Sequence, residues 1–202
     1  MFALVDKSNN SITKMLNGNR GITLNDLQYP RAIYTLWTEA ERNAINIYEI
    51  TIDNTNKKNE KWYVNTNVTY AFDGTNATGS YGTATAKAHA DTNFSAQDEE
   101  DGLGTEGEVA TRGLKTNLIQ TVKKQAASEL AKTDWYITRN AEKSTAIPSA
   151  ITTHRDLVRS RQAAMETSIT NASDTPALET LYTYTTDSDG VSSRPLALIP
   201  TL

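Results

Sequence analysis

Apolar and polar positions follow two different periods along this chain, and the change falls near residue 110. Before it, the apolar runs are short and bounded by turn-forming residues, which is the pattern of antiparallel strands. Residues 2–5 and 12–16 flank Lys7-Ser8-Asn9-Asn10 and predict a hairpin, and Asn17-Gly18-Asn19-Arg20-Gly21 predicts a second turn. Thr38 and Glu41 have the spacing at which each side chain caps the other's backbone, so a short helix is expected after Trp37, running to about Ile45. A strand over 47–52 follows. The strongest alternation places Trp62, Val64, Val68, Tyr70 and Phe72 on one face and Tyr63, Asn65, Asn67 and Thr69 on the other. That pattern predicts one half-buried strand over 62–72. Asp73-Gly74-Thr75-Asn76 then turns the chain, and 80–86 is expected to pair back.

Beyond residue 110 the period is helical. Leu114, Leu118, Val122 and Leu130, with Ile119 and Ala126 beside them, predict a helix over about 110–132. Pro148 suits a first helical position, and Ile151, Val158, Met165 and Ile169 recur on one stripe, predicting a helix over 148–171. Between these helices, 134–142 reads as a connector, and 177–182 as a last short helix. The expected fold is α+β. A small antiparallel β domain with a short helix occupies 1–95, an acidic Gly-rich linker 96–109, a helical hairpin 110–186 and an extended tail 187–202.

Composition narrows this picture. Leu, Ile, Val and Phe together make 38 of the 202 residues, a thin core, while a net charge of -4 with 3 Trp and 9 Tyr argues for a folded chain. A thin core is commonly supplemented by surface buried against a partner. Thr (30) and Asn (17) make up nearly a quarter of the chain and suit an exposed, β-rich surface. With no Cys, the chain can form neither disulfides nor thiolate metal sites, and no Cys nucleophile is available. The N-terminus reaches Asp6 and Lys7 after five residues, too early for a signal-peptide apolar region, and no apolar run approaches bilayer length. A cytosol-made chain without a membrane span is the expectation.

The chemistry-bearing residues do not converge on a catalytic pattern. Asp98-Glu99-Glu100-Asp101 lacks the alternating ligand spacing of a calcium loop and reads as a solvated stretch. His89 and His154, the two histidines, have no triad partner and no helical metal-ligand spacing. No glycine run forms a phosphate loop. No enzymatic activity, metal or cofactor is expected. Residues 112–161 carry ten Lys/Arg against four acids, whereas 88–111 carry seven acids and no Lys or Arg. The basic residues are spread around two helices without aromatics for base stacking, which favours an intersubunit or solvated face over nucleic acid.

Residues 130–159 hold Leu130, Thr133, Asp134, Trp135, Arg139, Glu142 and Pro148, then Arg155 and Arg159 four residues apart. This segment resembles the C-terminal module of tail-fibre assembly proteins and related tail proteins of tailed bacteriophages. Residues 28–42 are similar to openings in the same group. The two stretches cover under half of the chain, and 55–110 has no counterpart. The resemblance implies a virion-associated role in the tail, baseplate or fibre attachment, with other tail or fibre proteins as partners and several copies per particle. The alternative it implies is an assembly chaperone that leaves the particle. The Thr/Asn-rich β segment and the proline-containing tail favour the resident subunit. The interface candidates are Trp135, Asp134, Arg139, Glu142, Arg155 and Arg159. Physically, Thr133 and Asp134 can cap the turn after the first long helix, and Arg155 and Arg159 can reach carboxylates on that helix or on Glu142. Trp135 can wedge between the helices with its indole N–H on an unpaired helix-end carbonyl. A core Trp135 predicts a loss of about 3–5 kcal/mol on truncation to Ala; an exposed one predicts unchanged stability and lost binding.

Overall fold

The computed structural model describes all 202 residues, Met1–Leu202. They divide into two compact units, Met1–Thr85 and Ala86–Leu202. The fold is α+β.

In the first unit, Phe2–Asp6 (β1) and Ser11–Leu16 (β2) form the expected hairpin, with a bulge between Leu4 and Val5. Ile22–Leu24 (β3) and Leu27–Tyr29 (β4) form a second hairpin. Thr38 and Glu41 cap each other at the start of helix Glu39–Ala44 (α1), which leads into Ile47–Asp53 (β5). Tyr63–Val64 (β6), Val68–Phe72 (β7) and Ala77–Tyr81 (β8) follow. Asp73 Oδ1 accepts from the Thr75 and Asn76 amides and closes the β7–β8 turn.

The main sheet has the order β2-β1-β5-β8-β7. Three of its pairings are antiparallel, but β5 and β8 run parallel, with Ile50 opposite Ala77. The sheet is therefore mixed where an antiparallel one was expected. The chain crosses from β5, lays β7 at the edge, and returns β8 into the gap between them. Both faces of the sheet are covered. Phe2, Leu16, Ile22, Ile33, Tyr34 and Ile47 pack on one side, and Ala3, Val5, Tyr48, Ile50, Phe72 and Ala77 on the other. That explains why 2–5 is an unbroken apolar run and not an alternating one.

The single strand expected over 62–72 is interrupted. Asn65 turns its amide onto the Lys58 backbone, accepting from its N–H at 2.8 Å and donating to its carbonyl at 2.8 Å. Thr66 Oγ1 accepts from the Gly82 amide. These side-chain bonds compete with strand pairing, so Trp62 is buried while Val64, on the same nominal face, is exposed.

The second unit starts ten residues earlier than the expected boundary, because the stretch expected as a linker belongs to it. After the short strand Thr85–Ala86 (β9), Thr92–Asn93 (β10) pairs with Val109–Thr111 (β11). Between them Ala96–Glu100 (α2) is a helix capped reciprocally by Ser95 and Asp98. Gly104 lies against the Phe94 ring so closely that a Cβ there would fall 2.4 Å from a ring carbon. Its glycine serves a close approach and not a loose backbone.

Helix Leu114–Ala131 (α3) packs against helix Ser149–Asn171 (α5). Their facing stripes bury Leu118, Val122 and Ala126 from one, and Ile151, Val158, Met165 and Ile169 from the other. The expected connector is itself a helix, Asp134–Lys143 (α4), with an acid in its first turn, a lysine in its last and Ser144 in left-handed conformation ending it. Helix Thr175–Tyr182 (α6) has Asp174 as its cap and Pro176 in its first turn. The tail contains a small hairpin, Thr185–Thr186 (β12) with Ser192–Ser193 (β13), and then buries Leu196, whose amide donates to the Leu181 carbonyl. Residues 187–193 are exposed, and the tail is anchored to the unit through Leu196.

Candidate interaction site

The segment singled out in the sequence folds around Arg155. Where α3 ends, its last carbonyls lack intrahelical donors. Arg155, four residues beyond Ile151 on the inward stripe of α5, supplies one. Its Nη1 donates to the Leu130 carbonyl at 2.8 Å, to Thr133 Oγ1 at 2.7 Å and to Asp134 Oδ1 at 2.8 Å. The guanidinium also places a cation at the negative end of α3 and pairs with the acid that opens α4. One side chain thus joins the end of α3, the start of α4 and the middle of α5. Thr133 is fully buried at this node, and its hydroxyl donates in turn to the Leu130 carbonyl.

Trp135 does not wedge between the helices; it is 51% exposed. Arg155 and Thr133 occupy the node at the end of α3, and continuing the chain as α4 turns Trp135 outward. Arg139, one helical turn on, places its guanidinium 4.8 Å from the Trp135 ring centroid and 5.4 Å from that of Tyr136. Ile137 is exposed as well. Trp135, Tyr136 and Arg139 therefore cluster on one side of α4, and Ile137 points to another.

The other candidates lie apart. Arg159 is exposed and pairs only with Asp156 on its own helix, at 3.2 Å. Glu142 is exposed and makes neither a hydrogen bond nor an ion pair, so the expected contact from Arg155 or Arg159 does not form. Asp134 takes part in the node while remaining 61% exposed at its side chain.

No protein-family model matches this chain, and no curated protein or solved structure matches it either.

Sequence reasoning missed a second polar cluster. Glu129, buried near the end of α3, accepts from Lys132 Nζ and, at 2.7 Å, from the Leu202 amide. His154 on α5 brings Nε2 to 3.3 Å from the same carboxylate without a hydrogen bond. The Lys132 hydrogen bond first, then the Leu202 amide and the Lys132 and His154 charges, hold Glu129 below the ordinary carboxylate range against the opposing effect of burial. The signal was present in the sequence, because the stripe Leu118, Val122, Ala126 continues inward to Glu129. The cluster fastens the end of the tail to the hairpin and holds His154 in a structural setting. No three His, Asp or Glu side chains are grouped to hold a metal ion, and no helix is long and apolar enough to cross a membrane.

Proposed function

We propose that this chain is a structural component of the tail of a tailed bacteriophage, a tail, baseplate or fibre-attachment subunit that acts by protein–protein contact and needs no cofactor. Two lines support the reading. One is the resemblance of residues 130–159 to the phage tail module. The other, which carries it, is how that segment divides its residues. Leu130, Thr133, Asp134 and Arg155 form an internal lock, while Trp135 and Arg139 stand outward on α4. Trp and Arg are the residue types that dominate interface energetics, and a rigid base lowers the entropy lost when they bind. The partners are other tail or fibre proteins and further copies of this chain.

Quantitative mass spectrometry of purified particles tests the reading. A resident subunit is recovered at a fixed ratio to the other tail proteins. A chain that is missing from particles yet raises the yield of soluble fibre on co-expression is an assembly chaperone, and that outcome replaces the proposal.

A further inference from the structure

The loop that joins β2 to β3 is held at several points. Asn17 Oδ1 accepts from the Asn19 amide at 3.1 Å and closes the turn. Gly18 adopts φ +72 beside the Tyr34 ring, where a Cβ would stand 3.5 Å from a ring carbon. Gly21 lies so close to the next hairpin that a Cβ would fall 2.2 Å from the Tyr29 carbonyl oxygen. Tyr34 ends the short 3-10 helix Arg31–Tyr34 and tilts against Phe2, with ring centroids 5.0 Å apart. Loop, strands and Tyr34 border an open cavity of about 570 Å³. Met15, Leu16 and Ile22 supply apolar walls, and Lys14, Arg20 and Tyr34 supply polar groups. No acid lines the cavity, and the side chains of Lys14 and Arg20 have neither a hydrogen bond nor an ion pair. Tyr34 is only 8% exposed, yet its hydroxyl has no hydrogen-bond partner in the protein. A phenol in that state calls for a partner from outside the chain. Burial pushes its titration above the ordinary phenol value, so the hydroxyl stays a neutral donor.

We infer that this cavity binds a small organic anion, an apolar body carrying a phosphate or carboxylate group, whose oxygens are held by Arg20, Lys14 and the Tyr34 hydroxyl. Arg presents a planar fork that fits two anionic oxygens at once, and Lys adds a point charge. The Tyr34 hydroxyl gains the acceptor it lacks within the chain. Met15, Leu16 and Ile22 cover the apolar body. A cleft that joins apolar walls to a few polar groups is the usual form of a small-molecule site, and this volume suits one. The site lies within Met1–Thr85, apart from residues 130–159, so it stands or falls independently of the assembly reading.

The test is a proton–nitrogen NMR titration of the full chain with phenyl phosphate, benzoate and phenol. At least one of the two anions is expected to bind with a Kd of about 1 mM or below. Its shifts are expected to centre on the Gly18, Arg20, Gly21 and Thr23 amides. Phenol has the ring without the anion and is expected to bind about tenfold more weakly. Whichever anion binds more tightly identifies the group as phosphate or carboxylate, and either result supports the site. Lys14→Gln and Arg20→Gln, both at exposed positions, are each expected to weaken binding about fivefold. Tyr34→Phe keeps the ring and the fold and is expected to weaken it about threefold or more. Lys58→Gln removes an exposed cation outside the cavity and is expected to change nothing. Failure of both anions to saturate, shifts scattered over the surface, phenol binding as tightly as the anions, or Tyr34→Phe binding like the wild type would each overturn the inference.

Discussion

Arg155 Nη1 on α5 lies 2.7 Å from the hydroxyl of Thr133, two residues past the end of α3, and the same nitrogen reaches the Leu130 carbonyl and Asp134. The guanidinium therefore ends one helix and starts the next. Arg155→Ala removes the charged donor shared by the Thr133 hydroxyl, the Leu130 carbonyl and Asp134, and leaves a void at the buried node, although Thr133 still donates to the Leu130 carbonyl. It is expected to cost about 2–3 kcal/mol, below the ~3–5 of a fully buried pair because Asp134 remains wetted. Asp134→Ala removes only the exposed acceptor and is expected to cost less than about 1 kcal/mol. Urea midpoints of the two variants, compared at constant slope, check both values and their order.

Trp135 contributes little to folding in this arrangement. With half its surface in solvent, Trp135→Ala is expected to change stability by under about 1 kcal/mol. A loss of the ~3–5 kcal/mol typical of a core aromatic would place the ring in the interior after all. Chemical denaturation of the purified variant separates the two.

Glu129 makes stability depend on acid pH. Its carboxyl titrates below the ordinary glutamate value in the folded chain, so folding favours the ionised form. Its contribution is fully present above that ordinary value of about 4.3 and is lost as pH falls through the lower, folded-state value. Asp6, Asp53, Asp73, Asp91 and Asp98 are shifted in the same direction by their own hydrogen bonds. The wild type is therefore expected to lose stability below pH ~4 overall. Glu129→Gln, less stable at neutral pH, is expected to converge on the wild type as the pH drops. Urea melts at neutral pH and at pH ~3 measure the convergence. A constant gap between the two proteins would assign no linkage to Glu129.

The start of α3 is capped from a distance. Gly113, the residue before the helix, has no side chain to cap it, and Asp91 does so instead, accepting from the Gly113 amide at 2.7 Å and from Thr116 Oγ1 at 2.8 Å. A Cβ on residue 113 would sit 2.3 Å from the Ala90 carbonyl oxygen, a backbone atom that cannot swing aside. Gly113→Ala is expected to destabilise the chain by about 1–3 kcal/mol. Asp91→Ala is expected to lower the midpoint as well, and Asp91→Asn to lower it less, since the amide oxygen still accepts. Thermal melts of the three variants rank them.

Elements whose signals are local could be read from the residues alone. The Thr38–Glu41 capping box started α1 where its spacing said, because both hydrogen bonds lie within four residues. The four-residue apolar stripes marked α3 and α5, because one apolar helix face is enough to require a partner. Features that depend on partners far along the chain emerged only once it folded. β8 paired parallel to β5 because the chain returned into the middle of the sheet, which no turn signal encodes. The 96–109 stretch became part of a unit because Asp91, from one side of it, caps α3 on the other. Trp135 faced outward because the chain continues as α4 and Arg155, twenty residues later, fills the node at the end of α3. Local hydrogen bonds and periodicity are written in neighbouring residues, whereas strand partners, distant caps and a buried charged node are settled only when distant residues meet.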